Sequence, residues 1–305
     1  CEWFAFARKK DSMKRLIPLI LTLLLISGCS TTPNNNTTLQ IVTSIYPMTD
    51  FTKKIVGDRA EVTQLVPLAQ EAHSWEPSAQ DIVILEKADV FVYNGHGMEH
   101  WVDKVLSSLD NKDLVVIDSS QSLESLEAHD HEDNHGTQDP HTWVSPLNAL
   151  AQTKTIADEI MKIDSVYKAY YQENLKKVTL EFQELDQEFR NTISTFRKKE
   201  FVVTHEAFGY LAEAYGLTQI GIEGIVPTSE PDPSRIADII KLVKDHGITT
   251  IFFEELVNPE VAKVIATEAN VRVDSLNPLG TLSNNKEDYF SVMRKNLEAL
   301  KKELH

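Results

Sequence analysis

Residues 164–199 read DSVYKAYYQENLKKVTLEFQELDQEFRNTISTFRKK. Apolar side chains fall at Val166, Tyr170, Leu175, Val178, Phe182, Leu185, Phe189, Ile193 and Phe196, and most of the gaps are three or four residues. That is the helical repeat, with one apolar face and a charged remainder. At ~1.5 Å per residue the stretch spans roughly 50 Å. An amphipathic helix usually serves a single core. This one separates two halves of another character, which predicts a stiff strut joining two lobes.

The flanks are built from short apolar runs alternating with helical patterns. Before the strut, strands are expected at 39–43, 62–66, 90–93 and 114–117, with helices over 48–56, 78–86 and 99–106. After it, strands are expected at 201–204, 249–253 and 271–274, with helices over 207–215, 234–245, 259–269 and 289–304. Alternation of this kind predicts parallel strands joined by crossover helices. The expected fold is α/β: two lobes, each a mainly parallel sheet flanked by helices, joined by one long rigid helix. The N-terminal lobe is expected to cover 39–162, the linking helix 163–199 and the C-terminal lobe 200–305.

The chain has 305 residues, 42% of them hydrophobic and 25% charged, an ordinary globular composition. Its net charge is −16, and without residues 1–28 it carries 25 basic against 44 acidic side chains, or −19. Such a balance excludes nucleic acid as a partner, because phosphate binding needs a basic face. It suits a cation ligand and, above all, solubility.

Lys14 and Arg15 precede an apolar run over 16–26, too short for a typical spanning helix and shaped like a signal peptide. The run closes on Leu25-Ile26-Ser27-Gly28-Cys29, which resembles a bacterial lipobox. Residues 1–28 are therefore expected to be an upstream extension and signal peptide, with Met13 as the start. Cys29 is expected to be lipidated, and 29–38 to be a polar tether. The protein is expected outside the cytoplasm, held on the cell membrane by its lipid anchor. Cys1 and Cys29 are the two cysteines, so neither a disulfide nor a thiolate metal site is expected in the mature chain.

Three histidines stand in matching contexts: Glu71-Ala72-His73-Ser74-Trp75, Asp139-Pro140-His141-Thr142-Trp143 and Val203-Thr204-His205-Glu206. A single histidine is ordinarily a surface or hydrogen-bonded residue. His205 directly follows an expected strand and His73 follows one after a short loop, while His141 follows an irregular loop. In open α/β sheets ligands bind beyond the carboxyl ends of the strands. Three imidazoles that only folding can join, with one position open, suit zinc. The sequence has no Gly-rich phosphate loop, no His-Glu-x-x-His and no Gly-x-Ser-x-Gly.

At these residues the chain resembles the zinc- and manganese-binding substrate-binding lipoproteins of bacterial ABC importers (the cluster A-I, ZnuA/AdcA-like family), the zinc branch in particular. The resemblance runs through Ser44-Ile45-Tyr46-Pro47, His73-Ser74-Trp75-Glu76-Pro77-Ser78, Ala88–Asn94, Asp139–Trp143, Thr204–Tyr210 and Leu276-Asn277-Pro278-Leu279, and covers nearly all of 39–305. It implies a metal held between two lobes, with His73 and His141 from the N-terminal lobe and His205 from the C-terminal lobe. It implies one transported Zn2+ per chain, no catalysis, an ABC permease as partner and a monomer. Manganese members tend to carry a carboxylate at the position of His205, so the imidazole favours zinc, as ligand hardness predicts. A manganese-binding member is the alternative within the family, and a zinc-dependent hydrolase the alternative from another class.

One position departs from the pattern. Several zinc members carry a glutamate directly after Asn-Pro-Leu; here Gly280 stands there. The expected site is three histidines and a water, steadied by a carboxylate such as Glu230 or one of Glu254 and Glu255; Asp274 lies too far upstream to take the fourth position directly, and Glu71, though close in sequence to His73, need not point the same way. The run His129-Asp130-His131-Glu132-Asp133-Asn134-His135 resembles a shortened His-rich loop, read equally as accessory zinc capture or as a solvated loop. His96 and His100 are expected at the surface, His246 at a helix end.

Overall fold

The computed structural model describes residues 38–127, 138–225, 233–254, 260–282 and 286–305. Among them each half of the chain builds one four-stranded sheet with all-parallel pairings. The first contains β1 (Leu39–Thr43), β2 (Ala60–Gln64), β3 (Val90–Tyr93) and β4 (Val115–Asp118), in the order β2-β1-β3-β4. The second contains β5 (Glu200–Val203), β6 (Thr218–Gly221), β7 (Thr250–Phe253) and β8 (Arg272–Ser275), in the order β6-β5-β7-β8. The winding is the same in both. β3 reads Val-Phe-Val-Tyr and β7 reads Thr-Ile-Phe-Phe, with three residues of each buried. A strand covered on both faces needs such a run rather than alternation.

The helices are α1 (Tyr46–Val56), α2 (Ala79–Leu85), α3 (Val102–Ser108), α4 (Pro146–Ile163), α5 (Lys168–Ile193), α6 (Gly209–Tyr215), α7 (Pro233–Asp245), α8 (Glu260–Ala269) and α9 (Tyr289–Leu304). Their ends follow local chemistry. Ser78 and Asp81 form a capping box before α2, as do Asp288 and Ser291 before α9. No helix among the described residues is long and apolar enough to cross a membrane.

The linking helix is shorter than its sequence pattern. α5 has 26 residues, about 39 Å at ~1.5 Å per residue, not the 36-residue rod of 164–199. Asp164 leaves helical geometry at φ −113° and ψ 71°, and its carboxylate accepts the Tyr171 hydroxyl at 2.6 Å. A single 3-10 turn, Ser165–Tyr167, then precedes α5. Val166, which belongs to the apolar stripe by spacing, is 82% exposed. At the other end Ser194 and Thr195 turn their hydroxyls back to the carbonyls of Asn191 and Thr192, both at 2.7 Å, and compete with the helix. Phe196 is buried beyond the helix.

Two elements escaped the pattern reading. α4 starts with Pro146 in its first turn, and buried Ala149, Thr153, Ile156, Ala157 and Ile160 follow helical spacing, a legible signal. β6 is four residues, Thr-Gln-Ile-Gly, of which only the glycine is buried, too short and too polar to announce itself.

One core runs through both sheets and α5, and a smaller one lies between the second sheet and α7 and α8. At its centre Phe182 of α5 packs on Phe51 of α1 (centroids 5.7 Å), Tyr289 (5.5 Å) and Phe290 (4.8 Å) of α9. The last helix, expected in the C-terminal lobe, therefore closes on the linking helix and on the N-terminal lobe. Lys54 of α1 reinforces this with an ion pair to Asp288 at 2.9 Å. Gly57 ends α1 at φ +55°, and a Cβ there would stand 2.3 Å from the Tyr170 hydroxyl of α5, so the strut approaches closely only because that residue is glycine.

Candidate metal centre

The strand order decides where a site can form. The chain leaves β1 to one side of the first sheet and β3 to the other, and the same happens at β5 and β7. Such a switch opens a crevice at the carboxyl ends of those strands. His205 lies two residues past β5, and Glu254 directly follows β7. Glu254 Oε1 is 2.5 Å from His205 Nδ1. Sequence reasoning named Glu254 only as a candidate neighbour; the pairing of β5 with β7 brings it to the ring.

The N-terminal lobe contributes differently. Fully buried Asn94, just past β3, donates its amide to Pro140 O at 2.8 Å and accepts from Thr142 Oγ1 at 3.0 Å. These bonds anchor the segment that carries His141. Asp139 Oδ1 accepts both His141 Nδ1 (2.8 Å) and the His141 backbone N–H (2.9 Å). That fixes the tautomer and presents His141 Nε2 to the cleft. His73 sits beside buried Trp75, whose ring packs on Trp101 at 5.3 Å. Asn94 and Asp139 were visible in the sequence only as letters of a motif, with no sign of what they hold.

The three expected histidines converge. One ring nitrogen from each of His73, His141 and His205 lies within 4.8 Å of the others. His141 and His205 are 1% and 4% exposed. His73 Nε2 is 3.0 Å from His141 Nε2, and because His141 already gives its Nδ1 proton to Asp139, His73 is the donor. A tetrahedral zinc with Zn–N bonds of ~2.0–2.1 Å sets its nitrogens about 3.3 Å apart, so small inward shifts of the rings complete the fit.

The ring protons are distributed unevenly. Burial, with His141 and His205 nearby, pushes His73 down to about 2. Burial and His205 hold His141 well below the usual imidazole range. Burial would also lower His205, but the Glu254 carboxylate and the hydrogen bonds to Glu254 and to Ile225 O (2.7 Å) outweigh it and raise His205 to about 9. His205 is therefore an imidazolium with both nitrogens donating.

The remaining candidates divide. Glu71 lines the cleft and accepts the His73 backbone N–H at 3.0 Å. Gly280 also lines it, and a Cβ there would meet nothing within 4 Å. Asp274 pairs with Lys302 at 2.6 Å instead. His100 is exposed and pairs with Glu76 at 3.0 Å. His246 follows α7 and pairs with Glu200 at 2.7 Å, a structural contact. His96, expected at the surface, is half-buried with its Nδ1 3.3 Å from the Tyr210 hydroxyl. Cys29, Glu230, Glu255 and the run 129–135 lie outside the described residues.

Fold and cleft together define a two-lobed solute-binding protein with three imidazoles between its lobes. The family profile described as "Zinc-uptake complex component A periplasmic" matches residues 41–303, and the chain belongs to that family, ZnuA. It is 37% identical to the "High-affinity zinc uptake system protein ZnuA" of Bacillus subtilis strain 168, over 87% of this chain and 88% of that protein. It is 36% identical to the "Zinc-binding lipoprotein AdcA" of Streptococcus pneumoniae R6, over 95% of this chain but 61% of that longer protein. Among solved structures, the Zn(II)-bound ZnuA-like domain of Streptococcus pneumoniae AdcA superposes with a TM-score of 0.78 at 37% identity, covering 88% of this chain and 99% of that one.

Proposed function

We propose that this protein captures one Zn2+ outside the cytoplasm, through His73, His141 and His205, and delivers it to an ABC-type importer. The observation that carries the reading is the convergence of three imidazoles in one cleft, His141 and His205 buried and each oriented by a carboxylate, His73 half-buried beside them. Nitrogen donors suit zinc better than the harder manganese. Lipid attachment at Cys29 would keep the protein at the membrane, near its permease, as a monomer. Mass spectrometry of the native mature chain under competing zinc and manganese tests this reading, with one zinc expected and manganese displaced. The protein is read as a binder rather than a hydrolase because the carboxylates in the cleft are engaged, Glu254 with the His205 ring and Glu71 with the His73 backbone. Metal-loaded protein is expected to leave ester, phosphate and peptide substrates intact.

The ring protonation gives a signed pH dependence. Zinc must displace the His205 Nε2 proton, which is held up to about 9, whereas His73, at about 2, and His141 have none to lose to solvent. Zinc affinity is expected to rise about tenfold per pH unit from 6 to 9 and then level off. Calorimetry at pH 7 in buffers of different ionisation heat should report one proton released. A steeper dependence centred near the ordinary imidazole value would contradict it.

Water is proposed as the fourth zinc ligand, beside Gly280. Because the space there is open, Gly280→Glu is expected to tighten zinc binding and slow its release. Unchanged or weaker binding in a competition titration would mean that a protein carboxylate already occupies the position.

A further inference from the structure

His141 belongs to the N-terminal lobe, yet the residue that orients it is gripped from the other lobe. Tyr210 of α6 is 3% exposed, and its hydroxyl donates to Asp139 O at 3.0 Å. The hydroxyl oxygen of Tyr210 accepts the Leu126 N–H at 3.1 Å. With its one proton committed to Asp139, the hydroxyl must also accept from His96, whose Nδ1 is 3.3 Å away. His96 holds this place from a left-handed backbone, φ +50°, between Gly95 and Gly97, both also at positive φ. Leu126 O in turn accepts the Asp139 N–H at 2.9 Å, so both backbone polar groups of Asp139 are tied, one through Tyr210 and one through Leu126.

The neighbouring residue acts on the side chain. Gly209 precedes Tyr210, and a Cβ there would lie 2.5 Å from Asp139 Oδ2. The carboxylate whose other oxygen holds His141 therefore fits only because the start of α6 is bare.

We propose that Tyr210 is a positioning residue for the zinc site: by fixing Asp139 across the lobe boundary it keeps the His141 ring aimed at the metal. The C-terminal lobe thus supplies one ligand directly, His205, and governs another through Asp139. A small displacement of α6 from Asp139 would release the carboxylate, and with it His141, which gives a coordinated route for unloading zinc without separating the lobes. The proposal rests on the reading that His141 binds zinc.

The test is a double-mutant cycle on zinc dissociation, followed with a chromogenic chelator, using Tyr210→Phe and Asp139→Asn in the full mature chain. Tyr210→Phe is expected to speed zinc release about tenfold, the lower end of the effect of losing an outer partner of a metal ligand. In the Asp139→Asn background the same change is expected to add less than about twofold, because the charge that grips the His141 ring is already gone and the remaining amide acceptor holds it weakly however it is placed. In zinc-free protein, the 15N signals of the His141 ring should report a proton on Nδ1 in the wild type and a tautomer mixture in Tyr210→Phe. If Tyr210→Phe does not fold, Gly209→Ala, which pushes on the same carboxylate, is expected to show the same acceleration and the same loss of it beside Asp139→Asn. Release unchanged in the folded variant, or an undiminished effect without Asp139, overturns the proposal. His141→Ala separates the two readings. If that variant keeps tight zinc, the ligand assignment fails; if it loses zinc while Tyr210→Phe behaves as wild type, only the positioning role fails.

Discussion

Replacing His141 with alanine is expected to lower zinc affinity by more than the ~10–100-fold that loss of an outer partner costs, because a metal–nitrogen bond disappears from a site with few donors. His141 is the most constrained of the three, with both its ring and its backbone N–H on Asp139 and a carbonyl neighbour held by Asn94. His73→Ala and His205→Ala are expected to follow the same direction, and the triple variant to lose tight one-to-one binding altogether. Titration against a chelator of known affinity measures this, and tight stoichiometric zinc in the triple variant would sink the assignment. The His205 variant carries an added signature. Without the imidazolium, Glu254 keeps a charge with no ring beside it, so any residual zinc binding should lose the single-proton dependence on pH.

The second large effect is on stability. Phe182→Ala is expected to cost ~3–5 kcal/mol, the usual range for truncating a buried phenylalanine. The ring is fully buried and touches aromatic partners from α1 and α9, which belong to opposite ends of the sequence. Since one core serves both lobes, urea unfolding of the zinc-free protein should remain a single transition displaced to lower denaturant. Two separated transitions, or a loss under ~1 kcal/mol, would show that the lobes are independent and that α5 merely spans them.

A long helix between lobes that share a core resists hinge bending, so binding at the cleft acts through small movements of side chains and loops. The distances agree with that: the three ring centroids already lie 4.8 to 5.2 Å apart, with His205 held by Glu254 and the Ile225 carbonyl.

Much of this was written in the order of the residues. Hydrophobic period fixed nearly every helix and strand, because burial of a strand or a helical face leaves a local repeat. The pattern overran at Val166 and Phe196, where apolar spacing continues but Asp164, Ser194 and Thr195 make competing local hydrogen bonds. β6 was lost because four mostly unburied residues owe their strand to pairing with β5, which no window of sequence contains. The three candidate ligands were legible because His205 follows a strand, His141 adjoins a turn, and all three sit in motifs that resemble those of the family.

By itself, then, the sequence determined the α/β alternation, the central helix and the identities of His73, His141 and His205 as the residues to watch. Only the tertiary structure decided their protonation, their aim and their coupling. Those depend on Asp139, Glu254, Asn94 and Tyr210, which act across gaps of 2 to 71 residues. A hydrogen bond is a relation of distance and angle, set by how strands β5 and β7 pair and how α6 meets the His141 segment. Chain order records neither.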